Sequence, residues 1–146
     1  MNIRKIVISD YEALYSLWIS CKGMGLNDTD DSEAGIAKFL ERNPETCFAA
    51  EESGNLIGAI LAGNDGRRGY IYHLAVHPDY RRKGIAKMLT QAVLDALADL
   101  GIAKAALVVF AKNNDGNVFW EKMGFITRDD LNYRNKSLRE LKRIDT

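Results

Sequence analysis

Residues 74–86 read Leu-Ala-Val-His-Pro-Asp-Tyr-Arg-Arg-Lys-Gly-Ile-Ala. An apolar stretch runs into a basic, glycine-containing loop, and a long helical pattern follows. The first backbone N–H groups of a helix have no partner inside the helix, and its dipole favours negative charge there. Gly84 lets the backbone approach a ligand closely, and Arg81, Arg82 and Lys83 add positive charge. Ala86 leaves room in the first turn. This is chemistry for a diphosphate. No Gly-x-x-x-x-Gly-Lys-Ser/Thr loop and no Gly-x-Gly-x-x-Gly fingerprint occurs, so two common nucleotide-binding devices are absent.

A second set of candidates lies just upstream and near the start. Residues 70–77 alternate as a strand, with Tyr70, Tyr72, Leu74 and Val76 on one face and Ile71, His73, Ala75 and His77 on the other. His73 then reads as a packed histidine, with a role as proton acceptor the alternative. Residues 27–33 (Asn-Asp-Thr-Asp-Asp-Ser-Glu) form an acidic turn whose carboxylates suit a cationic ligand. Asp30 and Glu33 have capping-box spacing, so Asp30 and Asp31 read as a helix start, and Asp28 stays open. Cys21 and Cys47 sit in apolar stretches and read as core thiols. With two cysteines and two histidines in the chain, a metal centre is not expected.

Those residues need elements to hold them. Residues 2–8 predict a strand. Ser9 and Glu12 then predict a capping box, opening a helix that carries Leu14, Leu17, Trp18 and Cys21. A short helix with Ile36, Phe39 and Leu40 ends at Asn43-Pro44. Strands over 46–52 and 56–62 read as a hairpin around Ser53-Gly54-Asn55. The fourth strand spans 70–77 and stops at Pro78. The strongest helix spans 84–100, with Gly101 as its C′ residue. A buried strand is predicted over 104–110, a short helix over 117–123, and two more strands within 125–140. The order, β-α-α-β-β-β-α-β-α-β-β, predicts one mixed α+β sheet with helices on its faces.

The 146 residues fit one domain spanning 1–146, with 47% hydrophobic and 27% charged residues. Twenty basic residues balance twenty acidic ones, which argues against duplex nucleic-acid binding. No apolar run approaches the about 18 residues of a membrane span, and Met1–Lys5 lacks signal-peptide character. A cytoplasmic protein without membrane contact is expected. The zero net charge conceals a division. Residues 1–66 carry 5 basic and 11 acidic residues, a net of −6, whereas residues 67–146 carry 15 and 9, a net of +6. An anionic ligand is expected on the C-terminal half and a cationic one on the N-terminal half, unless the halves interleave.

Taken with the element order, two motifs resemble the GCN5-related N-acetyltransferase (GNAT) superfamily. Arg81-Arg82-Lys83-Gly84-Ile85-Ala86 is similar to its Gln/Arg-x-x-Gly-x-Gly/Ala acetyl-CoA motif after a fourth strand. Asn113 followed by Trp120-Glu121-Lys122-Met123-Gly124-Phe125 is similar to its second motif. The resemblance covers essentially the whole chain. It implies a central, mostly antiparallel sheet of six or seven strands, splayed between the fourth and fifth and flanked by about four helices.

The resemblance also implies roles. Residues 81–86 would hold the pyrophosphate of acetyl-CoA. The backbone of Leu74, Ala75 and Val76 would pair with its pantetheine arm, and the Val76 N–H would polarise the thioester carbonyl. Asn113 would bond the same arm, with Phe119 and Lys122 beside it; Phe119 can equally be core and Lys122 a solvated helix residue. Family members often carry Glu or His where this chain has Tyr70 and Tyr72. A phenol with an ordinary pKa near 10 is a poor base, so relay of the proton through water is expected. Trp120 stands where the family commonly has a Tyr that protonates the leaving thiolate. An indole N–H donates a hydrogen bond but not a proton. Tyr133 is a substitute candidate on a late strand. Asn27 and Asp28 belong to the region that would frame the acceptor.

The expected activity is acetyl transfer from acetyl-CoA to a primary amine by direct attack in a ternary complex. Neither cysteine lies in a cofactor motif and no serine adjoins a histidine, so no covalent enzyme intermediate is expected. The alternative is a non-catalytic acyl-CoA-binding sensor, favoured by Trp120 and by the missing Glu or His. Pairing into a homodimer is common for such domains, although no heptad pattern marks an interface.

Overall fold

The computed structural model describes residues 1–145. Its core is one five-stranded sheet in the order β1-β2-β3-β4-β5. The strands are β1 (Asn2–Lys5), β2 (Phe48–Glu52), β3 (Asn55–Asn64), β4 (Gly69–Val76) and β5 (Ala105–Leu107). The first four are antiparallel neighbours, and β5 lies parallel to β4. Four helices complete it: α1 (Tyr11–Ser20), α2 (Glu33–Arg42), α3 (Ile85–Asp99) and α4 (Asn114–Lys122). The predicted hairpin forms, with Ser53 and Gly54 both at positive φ in a tight two-residue turn.

The helices divide between the two faces. Leu14, Leu17 and Trp18 of α1 and Ile36 and Leu40 of α2 pack with Ala49, Ala59, Leu61 and Ala75. On the opposite face Ile85, Leu89, Val93 and Leu97, the predicted stripe of α3, pack with Ile57, Ile60, Ala62, Ile71 and Trp120. Gly58 makes this contact close: a Cβ there would stand 3.0 Å from Ile85 Cγ2 and 3.1 Å from Leu89 Cδ1. The acidic N-terminal part of the chain supplies both helices of one face, and the basic C-terminal part supplies both of the other. The halves therefore share the sheet without mixing their helices.

Several boundaries differ from the expectation. The first strand ends at Lys5, and α1 follows a short 3-10 turn at Ile8–Asp10. The Ser9–Glu12 capping box does not form; Asp10 Oδ2 accepts the Val7 N–H instead, at 2.9 Å. Helix α2 starts on Ser32, whose Oγ accepts the Gly35 N–H at 3.0 Å, so Asp30 is not its cap. Helix α4 begins three residues early because Asn113 Oδ1 takes the Gly116 N–H at 2.9 Å. At the end of α3, Gly101 is at φ 81, and the Ile102 and Gly101 N–H groups return to Leu97 and Ala98, the expected αL stop.

The largest correction concerns the sheet edge. Strand β5 has three residues rather than seven, and no strand forms within 125–140, so the sheet has five strands rather than six or seven. That segment is dense in charge, and Ile126, Leu131 and Leu138 are each more than half exposed, leaving no continuous apolar face to bury against a ladder. Tyr133 accordingly lies outside any strand. Beyond it the chain returns to the α1–α2 loop. Lys142 O accepts the Asp28 N–H, Leu26 O accepts the Ile144 N–H, and the Asp145 carboxylate accepts the Gly25 and Leu26 N–H groups.

Candidate functional site

The site is built where β4 and β5 part. The two strands pair only from Gly69 to Ile71 with Ala105 to Leu107. From Tyr72 to Val76, β4 has β3 on one side and no strand on the other. The His77 N–H donates to Ile57 O at 2.8 Å, across to β3. Antiparallel alternation then turns the N–H groups of Val76 and Leu74 away from β3, toward the open side. Val76 O also faces there and accepts from Arg81 Nε at 3.2 Å and from Cys21 Sγ at 3.5 Å.

Below this edge the loop to α3 forms a cradle of backbone at the helix start. Pro78 opens a single 3-10 turn, and the His77 ring accepts the Asp79 N–H at 3.1 Å. Arg82 and Gly84 then both adopt the left-handed region, at φ 64 and 79. Gly84 is the N-cap of α3 and has no side-chain cap; its carbonyl accepts the first helical bond, from Met88. The amides of the first turn therefore point outward from a positive helix end. A cleft of about 410 Å³ opens over them, lined among others by Val76, Arg82, Gly84, Ala86, Phe119 and Lys122. Arg81, Arg82, Gly84, Ile85 and Ala86 meet Phe119 and Lys122 of α4 around this cleft, whereas Lys83 does not line it. Arg81 contributes differently: its guanidinium folds back to Val76 O and lies 3.6 Å from Cys21 Sγ. Lys83 lies over the Tyr80 ring, 5.1 Å from its centroid.

Trp120 is nine-tenths buried against Phe119 and Phe125, with ring centroids 4.9 and 5.2 Å away. It is part of the core on the α3 side. Asn113 spends Oδ1 on the α4 cap and keeps Nδ2 for another acceptor.

The opposite side of β4 carries the main surprise. Ile60 opposes Leu74 but Ala62 opposes Ile71, so β4 holds one extra residue between them, a β-bulge at Tyr72–His73. A bulge resets the side-chain alternation. Tyr70 and Tyr72 stack at 4.7 Å, and Phe39 of α2 meets Tyr72 edge-on at 5.5 Å. His73 turns to that same side, 5.2 Å from Trp18, rather than to the opposite face as strict alternation predicted. Leu74 and Val76 turn to the α3 side instead.

His73 has a buried partner that the sequence reading missed. Its Nε2–H donates to Asp31 Oδ1 at 2.6 Å, and Asp31 is 3% exposed. Asp31 Oδ2 accepts the Asn27 N–H at 2.9 Å, and Asp31 O accepts from the Tyr11 hydroxyl at 2.7 Å. The pair ties the acidic turn to the bulge, 42 residues away in sequence. Asn27 organises the turn, with Oδ1 accepting the Thr29 and Asp30 N–H groups. Asp28 anchors the returning chain through the Lys142 N–H at 2.9 Å. Asp30 stays exposed near Tyr72. Burial raises both tyrosine phenols above their ordinary pKa; Tyr133 and Tyr72 add to this at Tyr70, and Asp30 and Tyr133 at Tyr72. Tyr133 is 68% exposed and acts electrostatically on both phenols.

Among the described residues, no helix is long and apolar enough to cross a membrane. No group of three or more His, Cys, Asp or Glu gathers among them to hold a metal ion.

Comparisons agree with this geometry. The acetyltransferase (GNAT) family model matches residues 11–125. An acetyltransferase from Sodalis glossinidius is 34% identical over 140 residues, covering 96% of this chain and 97% of the relative. One from Yersinia enterocolitica is 34% identical over 131 residues, covering 90% and 92%. Among solved structures, Ard1 from Thermoplasma volcanium superposes with a TM-score of 0.77 at 22% identity, covering 86% of this chain and 82% of its own. The PaiA N-acetyltransferase from Thermoplasma acidophilum, solved in complex with coenzyme A, gives 0.76 at 23%, covering 88% and 91%. At these identities the structural likeness speaks for the fold. The matched family model and the relatives at 34% identity place the chain in the GNAT acetyltransferase family, as an acetyl-CoA-dependent N-acetyltransferase.

Proposed function

We propose that the protein transfers the acetyl group to a primary amine by direct attack, with both substrates bound together. The observation that carries this is the open edge of β4, whose free N–H groups at Leu74 and Val76 adjoin the uncapped start of α3. Acetyl-CoA would supply an acetyl thioester with a diphosphate some distance along the same molecule, and the residues present fit both parts. The amides around Gly84, with Arg82 and Lys83, bind the diphosphate, and Ile85 and Ala86 form the first turn behind them. The backbone of Leu74, Ala75 and Val76 lies alongside the pantetheine arm, and Asn113 Nδ2 donates to it. Phe119 and Lys122 close the cleft wall. The Val76 N–H stabilises the negative charge that develops on the carbonyl oxygen, a preorganised donor at an exposed strand edge.

An alkylammonium must lose a proton before it attacks. Tyr70 and Tyr72 are held protonated by their raised pKa values, so neither serves as base at neutral pH. Water carries that proton to solvent. Trp120, enclosed by Phe119 and Phe125, belongs to the core on the α3 side, and Tyr133 is the candidate to return a proton to the thiolate. Calorimetric titration of acetyl-CoA into the wild type and into Gly84→Glu tests the cofactor half. Micromolar binding that the substitution removes supports the reading, and no binding by the wild type overturns it. Thiol release with an amine panel tests the transfer itself.

A further inference from the structure

Resting on the acetyl-transfer reading, we propose that the acceptor amine carries a second positive charge. Its second ammonium sits against the rings of Tyr70 and Tyr72, with the Asp30 carboxylate at the rim.

Three observations converge. First, Tyr72 is 54% exposed although it stacks on Tyr70 and receives the edge of Phe39. An aromatic ring left open to solvent offers its negative face to a cation. The phenols stay neutral in this setting, so the ring faces keep that character across the neutral range. Second, Asp30 is exposed and its charge acts on Tyr72, and Asn27 Nδ2 donates to its Oδ2 at 3.1 Å, leaving Oδ1 without a hydrogen-bond partner among the described residues. Third, this rim is held in place rather than floating. Asp31, next in sequence, is buried and bonded to His73, which the bulge turns to the face of these rings.

Charge runs the same way over a longer range. Both helices of this face come from the part of the chain with a net of −6. Two of its five basic residues, Arg4 and Lys5, are already paired with Asp10, Glu51 and Glu45. A dication is drawn to such a surface and an amino acid carboxylate is repelled. Strand geometry sets the reach: Tyr72 lies two to four residues from Leu74 and Val76, about 7–13 Å along β4. A flexible diamine of medium length spans that gap.

Three probes of matched length decide it: 1,6-diaminohexane, hexylamine and 6-aminohexanoate. Each is assayed by thiol release from acetyl-CoA, with acetyl-CoA binding titrated in parallel. The expected kcat/KM for the diamine exceeds that for hexylamine about tenfold, combining one cation–π contact with one exposed charge pair. The amino acid falls below hexylamine. Asp30→Asn and Tyr72→Leu each cut the diamine's advantage to about threefold or less while the acetyl-CoA Kd stays unchanged. Equal use of diamine and hexylamine overturns the proposal, as does an advantage that survives both substitutions, or no turnover of any probe by protein that binds acetyl-CoA. Failure to bind acetyl-CoA overturns the acetyl-transfer reading itself.

Discussion

The two sides of the sheet would perform the proposed chemistry by different routes. On the α3–α4 side the work falls to backbone: amides of one loop and one helix start, and the free edge of one strand. All but the α4 wall comes from 13 consecutive residues, 74–86. On the α1–α2 side the work falls to side chains drawn from distant places: Asp30 and Asp31, Phe39, Tyr70 to His73, and Tyr133. Backbone donors depend on conformation, which a short run of residues encodes. A side-chain constellation depends on tertiary register. The first kind of site tolerates change in most side chains, and the second is sensitive to each of its members.

The sharpest way to break this contrast is at Gly84. A Cβ there meets nothing within 4 Å, so the damage from Gly84→Glu falls on the ligand and on a backbone held at φ 79. Calorimetry is expected to show about 100-fold or greater loss of acetyl-CoA affinity, since a carboxylate would occupy the anion cradle. Retained affinity would mean that the loop backbone does not carry the diphosphate.

On the other side, His73→Ala or Asp31→Ala leaves half of a buried pair without its partner. Unfolding in denaturant is expected to show a loss of about 2–4 kcal/mol, somewhat below the fully buried case because the His73 side chain is 14% exposed. Loss below about 1 kcal/mol would show that the acidic turn does not need this tie. Asp145→Ala, which frees the Gly25 and Leu26 N–H groups, should cost about 1–2 kcal/mol. It should raise the KM for the amine without moving the Kd for acetyl-CoA.

Tyr70→Phe and Tyr72→Phe are expected to change kcat less than about threefold, because neither phenol takes the proton. The pH–rate profile between pH 6 and 9 should keep its shape, as the raised pKa values place phenol ionisation above that range. A tenfold loss would make a phenol the base. The smallest effect concerns Cys47, buried at the core of the α1 side, where burial pushes its thiol up to about 11. Thiol reagents at pH 8 should leave it unmodified in the native protein and label it once the chain unfolds.

Much of this was readable before folding. The stripe of α3, its Gly101 stop, the tight hairpin at Ser53-Gly54 and the helix start at Gly84 all follow from local spacing, and the structure reproduces them. The second motif appeared in the sequence too, but its helix starts earlier because Asn113 caps it. The late strands were over-read. Residues 125–140 carry scattered β-formers without the continuous apolar face that a ladder would bury. His73 was read on the wrong face because one bulged residue shifts every side chain after it. Asp31 read as helix-start acid, since nothing near it in sequence hints at a histidine 42 positions later.

The amino-acid order alone therefore established the fold class and the family, because element order and local motifs carry both. Folding decided the proposed acceptor side. The bulge at Tyr72–His73, the Asp31–His73 bond, the aromatic wall with Asp30 at its rim and the parting of β4 from β5 exist only once distant segments are packed in register. Local patterns encode backbone conformation; which side chains share a surface is settled by long-range packing, one residue of register at a time.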